Sequence, residues 1–341
     1  MNLPHSQVRT ATGARRSQNP MLDQILQPIQ PQIKRFERRF TETLASDVNL
    51  VQAMGSHILT TKGKIIRPAL SLLTAQAIGR CSDRVVDAAA GIEIIHTATL
   101  IHDDVIDLAD KRRGAEVLNL RWGNKAAVLM GDFLLARALQ LLVGLDSMDV
   151  MRAATRAVSR MIEGEILEVE SGNDAVAARY FKMIDKKTAS LMALACEVGA
   201  ILAGGTPEQV SRMSTFGQDV GIAFQITDDL LDFIGDEASL GKPVGTDVRE
   251  RKLTLPLIRA LANCPNGDAE TIQAKVRNGI ESDAELHEVF RFVRRYDGIE
   301  AARQEARKYA SSGLRSLAEL KSSEARNALE LAVRHVVDRQ K

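Results

Sequence analysis

The sequence predicts an all-α fold in which the helices pack into a single large bundle. Hydrophobic residues make up 45% of the 341 residues and aromatic residues only 4%, a balance typical of helices packed on helices. Apolar residues recur at helical spacing through most of the chain, and period-two alternation bounded by turn residues is nearly absent. Because no low-complexity linker interrupts this pattern, we expect one domain over residues 21–341.

Start and stop signals place the helices in order along the chain. Helical spacing begins at about residue 21, with Pro28 and Pro31 near its start. Pro68 lies in the first turn of the next segment, which Gly79 ends, and Ser82 can cap a helix of about 25 residues. Further helical segments are predicted at 124–144, 149–171, 175–205 and 207–235, with shorter helices over 254–293 and two longer ones over roughly 295–340.

The composition indicates a cytoplasmic protein without a nucleic-acid partner. Lys+Arg is 45 and Asp+Glu is 44, so the net charge gives no bias toward nucleic acid or a membrane surface. No uninterrupted apolar run approaches the length of a transmembrane segment. The cysteines match no zinc spacing and indicate reduced thiols; they are Cys81, Cys196 and Cys264.

Residues 1–20 favour a disordered tail over a targeting segment. They lack the apolar core of a signal peptide, and they are short, polar and contain Pro4 and Pro20. Their basic residues, with no acidic residue among them, leave a transit peptide as the alternative; these are Arg9, Arg15 and Arg16.

Two acidic triplets stand out because their charges should weaken the helices that carry them. In "HTATLIHDDVID", Asp103, Asp104 and Asp107 would project toward one face of a helix, where like charges repel. The pattern recurs in "TDDLLD" as Asp228, Asp229 and Asp232. Mg²⁺ prefers oxygen ligands and is commonly shared with substrate phosphates, so facing triplets would suit Mg²⁺ and a diphosphate. One triplet alone would more often be a solvated acidic face, but two copies favour the metal hypothesis.

Basic side chains accompany both triplets, and Arg and Lys bind phosphate oxygens. Any one of them would be an ordinary surface charge, but together they predict two anion sites, one bridged by metal and one held directly. They are Lys64, Arg67, Arg112, Arg113, Lys187, Lys242 and Lys252.

Together these residues resemble the trans-isoprenyl diphosphate synthases, or polyprenyl synthetases, from about residue 25 onward. "HTATLIHDDVID" with "RRG" is similar to the family's first aspartate-rich region, and "FQITDDLLDFIGDEASLGKPVGTD" to its second. The resemblance implies an isoprenoid synthase-like bundle around a central cavity. It also implies a cytoplasmic, Mg²⁺-dependent homodimer that condenses isopentenyl diphosphate with an allylic diphosphate into an all-trans polyprenyl diphosphate.

The resemblance also assigns roles to residues of this sequence. Three Mg²⁺ ions on the allylic diphosphate would be held by Asp103, Asp104, Asp107, Asp228, Asp229 and Asp232. The same diphosphate would contact Arg112, Lys187 and Lys242, and Lys252 would lie near both diphosphates. Isopentenyl diphosphate would be held by Lys64, Arg67, His96 and Arg113, while Thr188 and Gln225 would line the path of the carbocation.

Three motifs depart from the family pattern. The usual "GGKRxRP" is "KGKIIRP", in which Lys62 replaces a glycine and Ile65 replaces an arginine. Glu168 stands where "GE..Q" has glutamine, and Arg251 stands where a glycine usually precedes the second-motif lysine. None removes a charge assigned to substrate, although Ile65 removes a cation near the isopentenyl diphosphate site.

Small residues before the first triplet predict a long product. In the family, bulky residues four and five positions before the first aspartate block the growing tail, and here these are Thr99 and Ala98. Ile95 lies one turn deeper, and the stripe opens again at Gly91 and Ala88. This wall is roughly 30 Å long at 1.5 Å per residue, which favours hexaprenyl to decaprenyl products. The floor is placed on the neighbouring helix, at Phe133. The alternative is an ordinary core seam.

Four other functions remain open. A short-chain farnesyl or geranylgeranyl diphosphate synthase would share both motifs. A class I terpene cyclase would usually have Ser, Thr and Glu in its second motif, and a head-to-head synthase would pair DxxxD motifs. A non-catalytic regulatory subunit would commonly lose aspartates, yet both triplets are whole. We expect no transmembrane segment, but a peripheral membrane contact for product release.

Overall fold

The computed structural model describes residues 20–61, 63, 65–112, 114–170, 176–235, 244–265 and 267–338. Helices dominate them, which confirms the predicted fold class. The N-terminal half contains α1 (Pro20–Leu26), a 3-10 turn (Gln27–Ile29), α2 (Gln30–Thr43), α3 (Asn49–Thr60), α4 (Ile66–Ile78), α5 (Asp83–Ile106), α6 (Leu118–Trp122), α7 (Asn124–Val143) and α8 (Met148–Val169). The C-terminal half contains α9 (Val176–Ile184), a π turn (Asp185–Ala189), α10 (Ser190–Leu202), α11 (Pro207–Ile234), α12 (Thr246–Arg249), α13 (Leu255–Asn263), α14 (Asp268–Asn278), α15 (Asp283–Arg295), α16 (Gly298–Ser316) and α17 (Glu324–Asp338).

Several elements differ from the predicted pattern. Helices α3 and α6 were not predicted, and the 3-10 turn divides the first predicted segment into α1 and α2. A small antiparallel hairpin pairs β1 (Lys111–Arg112) with β2 (Ala115–Glu116) directly after α5, and Gly114 in its turn has a φ of 78°. The segment predicted as one helix over 175–205 is interrupted by the π turn. A π turn inserts one extra residue into a helix and is frequent at functional sites, and Lys187 and Thr188 lie within this one.

The helix boundaries otherwise follow the sequence signals closely. Ser82 is the N-cap residue of α5, but its side chain makes no capping hydrogen bond. Only its backbone carbonyl accepts hydrogen bonds from N–H groups of the first turn. Pro20 already begins α1, one residue before the predicted start of the helical domain at residue 21. Residues 1–19 lie outside the described part of the chain.

The two long helices that carry the acidic triplets lie at the centre of the packing. α5 packs along α7 and also contacts α2, α4 and α10, while α11 packs against α10 and α16. A hydrophobic cluster fills the space between α5, α7, α8 and α10, with Ile95, Leu134, Met161 and Leu194 among its buried residues. The first triplet therefore lies at the C-terminal end of α5 and the second near the C-terminal end of α11, and each is positioned by a rigid helix.

Helices α7 and α8 expose large apolar side chains. Leu129 and Val143 of α7 are each 58% exposed, and Ile166 and Val169 of α8 are 59% and 73% exposed. By length and composition alone, α5 and α7 could cross a membrane, although charged residues such as Glu93 in α5 and Asp132 in α7 interrupt both, so neither is an uninterrupted apolar run. The apolar window of α5 is 61% buried inside the bundle, as in a core helix, and that of α7 is 33% buried.

Candidate active site

The aspartates of the first triplet have different surroundings. Asp104 is only 6% exposed, and its Oδ1 accepts a hydrogen bond of 2.7 Å from Nε of Arg112. Asp103 is half-buried, and the charge of Lys187 opposes the rise in its pKa that burial causes. Asp107 is the C-cap residue of α5 and is exposed. Because Asp103 and Asp107 are one helical turn apart, they form the pair of this triplet that is oriented for a ligand, whereas Asp104 is tied to the hairpin.

The second triplet divides in a similar way. Asp228 is exposed, whereas Asp229 and Asp232 are 4% and 0% exposed. Oδ2 of Asp232 accepts a 3.0 Å hydrogen bond from the backbone N–H of Asp247, so it fixes the segment after the motif. Asp229 accepts hydrogen bonds from two side chains, Tyr180 (2.6 Å) and Gln225 (2.8 Å). Burial, which disfavours the charged form, raises the pKa of Asp229 well above its usual value.

A chain of hydrogen bonds joins the π turn to the second triplet. The hydroxyl of Thr188 donates to Oε1 of Gln225 at 2.8 Å, and the amide of Gln225 donates to Asp229. Thr188 and Gln225, predicted to line the carbocation path, are therefore in direct contact. This chain fixes the orientation of the Gln225 amide, because its oxygen accepts from Thr188 and its nitrogen donates to Asp229.

The predicted phosphate-binding lysines are paired with carboxylates. Nζ of Lys187 lies 2.7 Å from Oε2 of Glu165 and also donates to Glu168. Nζ of Lys252 lies 3.2 Å from the other carboxylate oxygen of Glu168 and 3.0 Å from Glu250. Glu168 thus bridges the two lysines. The charges of Glu168 and Glu250, and to a smaller extent that of Asp107, raise the pKa of Lys252 against the effect of burial. The charges of this cluster therefore reach the first triplet.

Burial and charge perturb the pKa values of these groups. Burial raises the pKa of Asp103 to about 6 and that of Glu165 to about 7, although the Lys187 charge opposes both shifts. Burial also acts to raise the pKa of Glu168, but the charges of Lys187 and Lys252 outweigh it and hold that pKa below its usual value. Perturbed carboxyl groups of this kind cluster at functional sites.

A cavity of ≈ 120 Å³ lies beside α5. His96, Asp104 and Arg112 contribute to its wall, together with Gly63 and Ile65 from the loop before α4. Ile65 has a φ of 45°, a left-handed conformation that is unusual for a β-branched residue. Arg67 lies in the first turn of α4. The other predicted anion ligands lie outside the described residues; they are Lys64, Arg113 and Lys242.

The carboxylates suit a metal that is shared with substrate. Among the described residues, no three His, Cys, Asp or Glu side chains converge closely enough to hold a metal ion by themselves. Mg²⁺ characteristically takes one or two carboxylates and completes its coordination with water and phosphate oxygens. The all-oxygen donor pair of Asp103 and Asp107 therefore fits Mg²⁺ carried with a diphosphate.

Sequence reasoning missed three carboxylate or phenol groups of this site. Tyr180 is buried beside Asp229, and hydrophobic spacing alone gives no sign of its hydrogen bond. Asp247, in the quoted "GTD", raises the pKa of both Tyr180 and Asp229 by its charge. Glu165 is the glutamate of the segment that corresponds to the family's "GE..Q" motif, but it received no role. The signal for both acids was their place in motifs already singled out.

The stripe predicted as an open tunnel wall is packed in this structure. Ala98, Ile95 and Ala88 are buried in the α5, α7 and α10 packing, and the space beside Gly91 is filled. A Cβ atom on Gly91 would lie 3.2 Å from the side chain of Leu142 on α7. The expectation that the stripe opens again at Gly91 is therefore wrong for the ligand-free chain, because Leu142 occupies that notch.

Neighbouring residues refine this picture. Thr99 is half-buried, and its hydroxyl donates to the carbonyl of His96 at 2.8 Å. Phe133, the predicted floor, is half-buried at the edge of the same hydrophobic cluster, with Arg137 over its ring. The role of Phe133 as the floor of the tunnel stays a prediction.

Comparison with known proteins decides the family. The family model for polyprenyl synthetase matches residues 48–293. The chain belongs to the polyprenyl synthetase family. Octaprenyl diphosphate synthase of Escherichia coli is 39% identical over 290 residues, which is 84% of this chain and 90% of that protein. A short chain isoprenyl diphosphate synthase of Methanothermobacter thermautotrophicus is 37% identical over 291 residues, or 83% and 89%.

A solved polyprenyl synthetase has the same fold. A polyprenyl synthase from Caulobacter crescentus, solved with calcium and isoprenyl diphosphate, is 33% identical with a TM-score of 0.88, and the match covers 96% of this chain and all of that one. The isoprenoid synthase-like fold and the assignment as a trans-polyprenyl diphosphate synthase, a prenyltransferase, are therefore confirmed.

Proposed function

We propose that this chain elongates an allylic diphosphate with isopentenyl diphosphate in a Mg²⁺-dependent reaction and makes products of hexaprenyl to decaprenyl length. The observation that carries the proposal is the geometry at the π turn. There the charge of Lys187 acts on Asp103 of the first triplet, and Thr188 is hydrogen-bonded through Gln225 to Asp229 of the second. One short segment thus links both acidic motifs to a cation and to a hydroxyl–amide pair.

The metal would be held mainly by Asp103 and Asp107 on one side and by Asp228 on the other. Bound to the allylic diphosphate, Mg²⁺ would supply charge neutralisation for the leaving group. We propose three ions with substrate bound. Divalent metal use is supported by the Caulobacter relative, which was solved with calcium and isoprenyl diphosphate.

The chain's own residues would order the reaction. Lys187 and Lys252 hold the allylic diphosphate, and the oxygens of Thr188 and Gln225 face the positive charge that develops when its C–O bond breaks. Isopentenyl diphosphate would bind at the cavity lined by His96. Lys64 and Arg113 are sequence neighbours of residues in the wall of this cavity. After the double bond of isopentenyl diphosphate attacks the allylic cation, a proton is lost to the released diphosphate, so no protein base is required.

The exposed face of α7 and α8 supports the proposal of a homodimer. Its exposed apolar residues on α8 are Met148, Ile162, Ile166 and Val169, and the last three follow one another at three- and four-residue intervals, as in a helix seam. An apolar surface of this kind marks an interaction site, and a second copy of the same face would cover it by two-fold symmetry. Light scattering of wild type and Ile162→Asp would test this, since the variant should shift toward monomer.

Product and location complete the proposal. The small Ala98 and Thr99 and the long-chain relative of Escherichia coli support a long product. The short-chain relative keeps farnesyl or geranylgeranyl products as the second candidate. All three cysteines are free, which supports a cytoplasmic location. A long apolar product also gives a reason for a peripheral membrane contact at release.

The test is incorporation of labelled isopentenyl diphosphate by the purified chain alone. With farnesyl diphosphate and Mg²⁺, we expect prenyl products that a chelator abolishes. A terpene cyclase would instead release hydrocarbon from the allylic substrate alone, and a regulatory subunit would show no turnover until a second chain is added.

A further inference from the structure

Glu168 occupies an unusual position between the two lysines assigned to diphosphate. It replaces the glutamine of the family motif "GE..Q". One carboxylate oxygen accepts from Nζ of Lys187, and the other lies 3.2 Å from Nζ of Lys252. Its side chain is 24% exposed, so the bridge is shielded from solvent and is not an ordinary surface ion pair.

The charges of this cluster oppose an incoming anion. Two ammonium groups, on Lys187 and Lys252, are surrounded by three carboxylates, on Glu165, Glu168 and Glu250. An ammonium group has three N–H donors, and each lysine already directs donors to two carboxylates. Each lysine therefore has only one N–H donor left for a diphosphate, and a diphosphate that uses more than one donor of either lysine must displace a carboxylate.

We propose that Glu168 competes with the allylic diphosphate for Lys187 and Lys252 and thereby weakens the binding of diphosphate groups. This inference rests on the proposed function of the two lysines and adds a determinant of affinity. Glutamine at this position would retain one carbonyl acceptor, but its NH₂ group cannot accept from the second lysine. Glu168→Gln would therefore release one lysine and remove one negative charge without a change of shape.

Isothermal titration with inorganic diphosphate in the presence of Mg²⁺ tests the proposal directly. Because a charged hydrogen bond is stronger than a neutral one, Glu168→Gln should bind diphosphate roughly three- to tenfold more tightly than wild type. The Michaelis constant for farnesyl diphosphate should fall in the same proportion, while that for isopentenyl diphosphate should change little.

Two further variants isolate the bridge. Glu163→Gln is the matched control, because Glu163 also pairs with a lysine of the π turn, Lys186, but contacts neither Lys187 nor Lys252 in the ion pairs described. It should leave diphosphate affinity unchanged. Glu168→Asp keeps the charge but is one methylene shorter, so it should reach only one lysine and give an intermediate affinity. A purely long-range charge effect would instead leave Glu168→Asp equal to wild type and would overturn the bridging account.

Lys187→Ala separates this inference from the proposed function. If the lysine binds diphosphate, this variant should lose roughly tenfold or more in affinity. Equal binding by wild type and Lys187→Ala would refute the proposed diphosphate site, and the competition proposal with it. If Lys187→Ala weakens binding while Glu168→Gln leaves it unchanged or weaker, the site stands but Glu168 supports the lysines and does not compete for them.

Discussion

A Cβ atom on Gly164 would lie 2.4 Å from the backbone nitrogen of Lys187. Helix α8 and the π turn therefore touch backbone to backbone at the residue that carries the central cation. The turn is held at the same place by Asp185, which accepts hydrogen bonds from Arg160 (2.6 Å) and Gln218 (2.5 Å) on the two flanking helices. The position of Lys187 thus depends on a glycine in a different helix.

Gly164→Ala should displace the π turn and lower activity. The added methyl group overlaps backbone, which cannot yield as a flexible side chain would, so Lys187 and Thr188 must shift. Misplacement of a catalytic group by about 1 Å can cost on the order of a hundredfold in rate, and we expect a loss of at least tenfold in kcat. Steady-state kinetics would measure it.

Gly313→Ala is the control for this substitution. Its Cβ would meet only side-chain atoms at 3.6 to 3.7 Å, and the residue lies within α16. It should retain full activity and gain about 0.5–1 kcal/mol of stability, because alanine loses less backbone entropy in a helix. Full activity in Gly164→Ala would show that the close approach does not position Lys187.

Asp103→Ala and Asp228→Ala should nearly abolish turnover while leaving the fold intact. Each removes a carboxylate assigned to metal. In addition, Asp103 is half-buried near other acids, so its removal should make the metal-free protein slightly more thermostable. Activity at saturating Mg²⁺ and thermal unfolding in chelator would measure the two effects. Asp47→Ala, in the exposed loop between α2 and α3, should change neither; normal activity in both site variants would remove the metal-binding hypothesis.

The sequence predicted the helices and both triplets because hydrophobic spacing and repeated carboxylates are local signals. It did not predict that Asp104 and Asp232 are tied to neighbouring segments, since those bonds depend on how the hairpin and the segment containing Asp247 fold back. It also missed the π turn, because an extra residue per turn leaves an apolar helix pattern almost unchanged. Leu142 beside Gly91 is a contact between two helices that spacing within one helix cannot show.

The stability of the metal-free protein should fall between pH about 4.5 and about 7 because of Glu165. Its carboxyl has a pKa of about 7 in the folded chain, against an ordinary value of 4.5 in the unfolded chain. In this window the folded state retains a proton that the unfolded state has lost, so raising the pH favours unfolding. Raising the pH through this window should lower the free energy of unfolding by an amount on the order of 1–3 kcal/mol.

The difference between wild type and Glu165→Gln isolates this effect from other titrating groups. Urea unfolding at several pH values in the presence of a chelator would measure it. Wild type should lose stability relative to the variant as the pH rises through the window. A constant difference across these pH values would show that the pKa of Glu165 is not raised by folding.

Bulky side chains near the first triplet should shorten the product. Ala98→Phe or Thr99→Tyr would place an aromatic ring one turn before Asp103 and should stop elongation at about farnesyl or geranylgeranyl length without abolishing condensation. Leu142→Ala should have the opposite effect, because it empties the notch beside Gly91. Mass analysis of dephosphorylated products would compare the variants. Unchanged length in all three would show that the tail does not follow α5.

The most direct test of the central claim is the product distribution of the unmodified protein. The purified chain is incubated with Mg²⁺, farnesyl diphosphate and excess isopentenyl diphosphate, and the dephosphorylated products are resolved by mass. The account predicts all-trans prenyl alcohols of six to ten isoprene units, on the basis of the small residues at 98 and 99. An absence of condensation, or products that end at the geranylgeranyl stage, would contradict it.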